Sequence, residues 1–297
     1  MLVGFSMIIA VGATWALVGA IFSRAARNGM DFVSLMAVSS ILTTLVGSLV
    51  FPDYDRLLNE PSRSCFRAAI PMLSAGFIMA CGAVLLNKAM RLGHHGATWA
   101  LAQSALIVPF LFGVIVWGDE VALRNIIGLV IIIVSILFFA FAKDDAEIPE
   151  KTNTLHWLIL AIATLLFIGA QQTVMTLPSR WVDWTDAARL RVPFIQWGTL
   201  IGYNLIVFLQ KKRIDWTVWR MAVLLALNII VSQFILFETL DRFAKMSRAA
   251  IVFPVGIGVS MILFSLYSFF IIKEKTTWQH LAGMLAGTIG IIFVALK

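Results

Sequence analysis

In this chain 60% of the residues are hydrophobic and 13% are charged, so a polar side chain inside an apolar run stands out. The densest group is Arg189, Pro193, Gln196, Thr199 and Tyr203. They are spaced three or four apart and so share one helix face, with Trp197 and Asn204 beside them. A second set, Trp99, Gln103 and Phe110, recurs at helical intervals next to Pro109. Gln171, Gln172 and Thr173 interrupt another run, and Asn228, Ser232 and Gln233 a fourth. Amides and hydroxyls suit reversible hydrogen bonding of a polar solute. The indoles of Trp15 and Trp197, far from the ends of their runs, present apolar faces that attract cations.

Ionisable groups within such runs are costly and tend to face a partner or a cavity. Lys88 lies a turn deeper than Arg91 at the end of the third apolar helix, and Glu238 ends a long uncharged stretch of the eighth. Glu238 with Arg242, and Asp241 with Lys245, form acid-first i, i+4 pairs. If buried, Glu238 would hold its proton more tightly, which a proton-coupling group requires. The expected substrate-binding set is Trp15, Lys88, Trp99, Gln103, Gln172, Arg189, Gln196, Trp197, Tyr203, Asn204 and Asn228, with Glu238 as a coupling residue. No HExxH, GxSxG or GxxxxGK[ST] motif occurs, and the cysteines and histidines have no metal-ligand spacing. The expectation is therefore no catalytic residue, no metal, no cofactor and no ATP drive. An intramembrane enzyme, and a channel or structural membrane subunit, are the alternative readings.

The elements that must carry these residues are apolar runs between charge clusters. Ten of them, at residues 1–23, 32–52, 68–87, 92–118, 125–142, 152–179, 192–210, 221–237, 249–272 and 276–296, are compatible with crossing about 30 Å of hydrocarbon at about 1.5 Å per residue. The runs are continuous and do not alternate, which excludes a barrel and predicts an all-α membrane protein. The first run lacks a basic leader and a small-residue cleavage site and is read as a retained helix. The net charge of +7 is dispersed over the loops and forms no stripe, so nucleic acid is not an expected partner. The expected partners are a small-molecule substrate and the lipid bilayer. The Lys and Arg of the loops on the two sides nearly balance, which leaves orientation open.

The chain is also internally repetitive. Asp119 is followed nine residues later by Gly128, and Glu274 nine later by Gly283; Phe138 pairs with Phe293 and Ala140 with Ala295 at the same offset. Residues 85–93 match 236–244 at an offset four residues shorter. Two units, 1–150 and 151–297, meet in the acidic connector 143–151. Five helices per unit is an odd number, so the second unit enters the membrane in the opposite sense, giving inverted repeats. Pro109 and Pro254 fall in corresponding helices. Gly283 and Gly287 have the GxxxG spacing of a close helix contact, within the chain or across a homodimer.

The Gly118–Asp119 step, its Glu274 echo, the Gly-led apolar helices that follow and the Thr14–Trp15 pair resemble the duplicated unit of the EamA-like transporters of the drug/metabolite transporter superfamily. The resemblance covers nearly the whole chain. It implies a secondary transporter that moves a small polar or amphiphilic organic solute (sugar, amino acid, nucleoside or organic ion) by alternating access. It also implies a bacterial inner-membrane location with both termini cytoplasmic.

Overall fold

The computed structural model describes residues 2–50, 63–92, 102–141, 154–181, 187–272 and 278–295. Among them are ten α-helices: α1 Leu2–Arg27, α2 Phe32–Val50, α3 Arg63–Leu92, α4 Ile107–Trp117, α5 Leu123–Phe141, α6 Thr154–Thr176, α7 Ala187–Leu209, α8 Trp219–Ala244, α9 Val252–Tyr267 and α10 Trp278–Ala295. No strand occurs among the described residues. A backbone in hydrocarbon must satisfy its own hydrogen bonds, and the uninterrupted apolar runs do so as helices.

Seven helical segments are long and apolar enough to cross a membrane: α1, α2, α3, α6, α7, α8 and α9 with its flanks. Three more, Ser104–Trp117, Leu123–Phe138 and Leu281–Val294, are apolar but shorter, about 21–24 Å at the helical rise. Ten long spans were expected; the fourth falls short because the start of the expected run 92–118 lies outside the described residues. The chain is thus an all-helical integral membrane protein. Its apolar residues point outward in rows such as Ile126, Val130, Val134 and Leu137 on α5, and Leu281, Leu285, Ile289 and Ile292 on α10, as lipid as solvent requires.

Packing follows a regular scheme. α1 packs on α8 and α9, α3 on α6 and α7, α2 on α7 and α8, α4 on α6, and α5 on α10. Glycines set the closest crossings. α3 and α7 meet backbone to backbone at Gly76 and Gly198, where a Cβ on Gly198 would lie 2.2 Å from the Leu73 carbonyl oxygen. α5 and α10 meet at Gly128 and Gly290 in the same way. Gly287 packs on Ser135, whose hydroxyl donates to the Gly283 carbonyl at 2.6 Å. Of the two contacts open to the GxxxG spacing, the one within the chain is formed, with α5 packed on Gly283 and Gly287.

The helices of Pro109 and Pro254 begin alike. A 3-10 turn, Ser104–Leu106 or Ala249–Ile251, runs into α4 or α9, and Pro109 or Pro254 is the third residue of the helix proper. Proline has no N–H for a carbonyl one turn back, so these junctions form at helix starts, where such bonds are missing anyway. Neither proline lies in the middle of its helix.

Asp31 caps the N-terminus of α2 through the Ser34 N–H at 2.9 Å and pairs with Lys212 at the end of α7. The Ser34 hydroxyl accepts from the Asp215 N–H at 3.0 Å, completing a clip between two loops. Burial opposes ionisation of Asp31, yet the bonds from Lys212 and Ser34 outweigh it and hold the carboxyl below its usual range. The clip is therefore complete at neutral pH and weakens only as the pH falls through that lowered value.

Candidate functional site

α7 carries the polar stripe into the centre of the bundle. Its buried face includes Arg191, Val192, Ile195, Gln196, Thr199 and Tyr203. Its opposite face, Trp197, Ile201 and Leu205, is exposed. Gln196 is 1% exposed, and its Nε2 donates to Gln233 Oε1 of α8 at 2.5 Å. Thr199 donates to the Gln196 carbonyl at 2.8 Å. α2 faces them with Ser39, Ser40, Thr43 and Thr44, all buried. Thr44 donates to the Gln196 carbonyl at 3.0 Å, which joins α2 to α7.

Several of these side chains line a cavity of about 10 Å³, together with Met36, Met79, Tyr203 and Ile229, enough for about one water. Two of its hydroxyls, Ser39 Oγ and Tyr203 Oη, are buried without a hydrogen-bond partner. Leaving each unmade costs about 1–3 kcal/mol, so the cavity is a place where a polar guest is favoured. A polar seam extends from it to α1: the Thr14 and Ser232 hydroxyls bond at 2.8 Å, and Asn228 Nδ2 donates to the Thr14 carbonyl at 2.9 Å.

The expected site residues divide accordingly. Gln196 and Tyr203 line the cavity, and Asn228 lies in the seam. Trp15 is half-buried between α1 and α9, stacked on Phe253 with ring centroids 6.1 Å apart. Asn204 turns back to the Leu200 carbonyl of its own helix at 2.9 Å. Gln172 is buried on α6, away from the cavity, with Oε1 unpartnered, and Gln103 is half-buried before α4.

Two expected residues face outward. Lys88 is exposed; it sits three turns beyond the exposed Phe77 on α3 and so shares its outer face. Trp197 is 46% exposed and donates to Ser48 Oγ at 3.1 Å on the outer flank of α2. One residue past Gln196 is about 100° round the helix, which takes the indole off the buried stripe. Trp99 and the Arg189 side chain lie outside the described residues, as does Glu274.

The hydroxyl wall of α2 was not anticipated. Its signal was the pairing of Ser39 with Thr43 and Ser40 with Thr44 at i, i+4, which puts all four hydroxyls on adjoining rows. The signal is weak because Ser and Thr can satisfy themselves on their own helix carbonyls, as Ser40, Thr43 and Thr44 do.

Two buried ion pairs lie at the end of the bundle that holds the N-terminus. Gly118, in the left-handed conformation at φ +64°, stops α4 and turns the chain so that the Asp119 N–H reaches the Gly113 carbonyl at 3.0 Å. The Asp119 side chain is fully buried. Its Oδ1 and Oδ2 take Arg180 at 2.5 and 2.6 Å, and Oδ2 also accepts from the Ala250 N–H at 2.8 Å. Arg180 lies over the Trp117 ring, 4.7 Å from its centroid. One aspartate thus joins the ends of α4 and α6 to the start of α9.

The second pair centres on Arg191, which is 0% exposed. It donates to Asp241 Oδ2 at 2.6 Å, Ser179 Oγ at 2.7 Å and the Phe237 carbonyl at 3.2 Å. Asp241 therefore pairs across helices with Arg191 and not with Lys245, because a buried guanidinium outweighs an exposed, screened ammonium. Glu238 is half-buried and within the electrostatic field of Arg191; among the described residues no ion pair joins it to Arg242. Arg191 carries no distinct signal in the sequence, because it flanks the apolar run 192–210, where a basic residue is ordinary. No group of three or more potential metal ligands occurs among the described residues.

No family model matches the chain, and no curated protein matches it in sequence. A crystal structure of a protein 12% identical in sequence matches 98% of this chain and 97% of its own with a TM-score of 0.73. At that identity the likeness is one of fold.

Proposed function

We propose that the chain is a secondary transporter of a small polar or amphiphilic organic solute, working by alternating access and related to the EamA-like transporters. The observation that carries this reading is the small cavity, with two unpartnered hydroxyls, between α2 and α3 of the first unit and α7 and α8 of the second. A site shared by two units is the arrangement that lets one unit rock against the other around a fixed ligand.

The helix contacts support an inverted repeat of 1–150 and 151–297. If α1–α5 correspond to α6–α10, the contact of α1 with α8 corresponds to that of α6 with α3, α1 with α9 to α6 with α4, and α2 with α8 to α7 with α3. The pairs α2–α7 and α5–α10 map onto themselves. The matched 3-10 starts of α4 and α9 agree. A bacterial inner membrane with both termini in the cytoplasm belongs to the same proposal and rests on the family resemblance.

The test is solute flux into liposomes containing the purified protein. Saturable uptake, accelerated by the same solute inside, is the expected result; unsaturable conductance or no flux would overturn the proposal. Glu238→Gln keeps size and removes the charge beside Arg191. If Glu238 couples protons, the variant should lose pH-dependent uptake while retaining solute exchange. Unchanged pH dependence would return Glu238 to a structural part in the Arg191 cluster.

A further inference from the structure

We infer that the cavity between α2, α3, α7 and α8 receives a net-uncharged solute bearing hydroxyl or amide groups, an inference that rests on the transporter reading. Its described lining consists of five hydroxyl side chains, two amides, two thioethers and one isoleucine, without a formal charge. Burying an ion without a counter-charge is far more costly than burying a neutral polar group that finds hydrogen bonds.

The nearest cation on α7 is Arg191, five residues before Gln196 and so about 7.5 Å along the helix. Its guanidinium is already engaged by Asp241, Ser179 and the Phe237 carbonyl. Asp241 is tied in the same cluster, and Glu238 is five residues beyond Gln233, on the same side as Arg191. An anion or cation in the cavity would therefore meet only dipoles. Ser39 Oγ and Tyr203 Oη can each donate and accept, and both lack partners. The Gln196–Gln233 amide pair offers one further acceptor and donor by exchanging its mutual bond for bonds to a guest. Hydroxyls and amides of the solute match this set. At about 10 Å³ the cavity has the space of about one water, so a larger solute fits only when α2 separates from α7 and α8.

The experiment compares L-lactamide with L-lactate, which differ chiefly in charge, together with xylitol and choline. Each is radiolabelled and followed into proteoliposomes and protein-free liposomes. The expected result is protein-dependent flux of lactamide or xylitol, with lactate and choline slower by about tenfold or more. Tyr203→Phe should cut the neutral flux about tenfold, the value of one hydrogen bond to the solute. It should leave the melting temperature of the solute-free protein unchanged or higher, because the lost hydroxyl bonds nothing there. Protein-dependent flux of lactate or choline without the neutral solutes overturns the charge class and leaves the transporter reading standing. Neutral flux indifferent to both Tyr203→Phe and Ser39→Ala overturns the site. No protein-dependent flux of any of these four solutes overturns this inference, and absence of saturable flux in the liposome test of the proposed function overturns the transporter reading as well.

Discussion

Asp119→Ala should destabilise the folded protein by about 3–5 kcal/mol, the cost of leaving one member of a buried ion pair without its partner. Asp119 is completely buried and accepts three hydrogen bonds, two from Arg180 and one from the Ala250 N–H. Alanine removes all three acceptors, leaving a guanidinium only 12% exposed and a buried N–H unsatisfied. Water can reach part of Arg180, which places the effect toward the lower end of that range. The measurement is thermal unfolding in detergent followed by loss of the monodisperse peak. The double variant Asp119→Leu with Arg180→Met should be less destabilised than Asp119→Ala alone, because removing both charges also removes their desolvation. If the single variant unfolds at the wild-type temperature, the pair does not hold α4, α6 and α9 together.

The second large effect is expected at the crossing of α3 and α7. Gly198→Ala would place a Cβ 2.2 Å from the Leu73 carbonyl oxygen, a backbone atom that no rotamer change can move. The helices must separate, and the separation spreads along α7 to Gln196, Thr199 and Tyr203. Overpacking a core typically costs about 1–3 kcal/mol when side chains can yield; here they cannot, and loss of most folded protein on expression is the expected outcome. Gly47→Ala is the control. The nearest atom to a Cβ there is the Gln196 Cγ at 3.5 Å, an ordinary contact, and alanine gains helix propensity of about 0.5–1 kcal/mol. It should fold as well as the parent or better. Equal tolerance of both substitutions would mean that α3 and α7 do not approach as closely as described.

Helicity and a place in the membrane are legible in the amino-acid sequence alone. Long apolar runs admit no other backbone in hydrocarbon, whatever their neighbours, so element type follows from composition and length. Much of the α7 stripe is legible there too, since residues spaced three and four apart share a face by helix geometry alone, and Gln196 and Tyr203 lie where that spacing put them. Which polar residues meet is not. For Asp241 a sequence argument reaches only Lys245, one turn away; Arg191, fifty residues away, becomes its partner through the docking of α7 against α8. The hydroxyls of Ser39 and Thr43 read as self-satisfied helix residues until α2 is packed on α7. Trp197 and Lys88 are polar residues in apolar runs like Gln196, but their helix rotations turn them outward. A local pattern specifies a face; which faces are opposed is a property of the assembled bundle, because it depends on close approaches such as Gly76 to Gly198 that involve residues far apart in the chain.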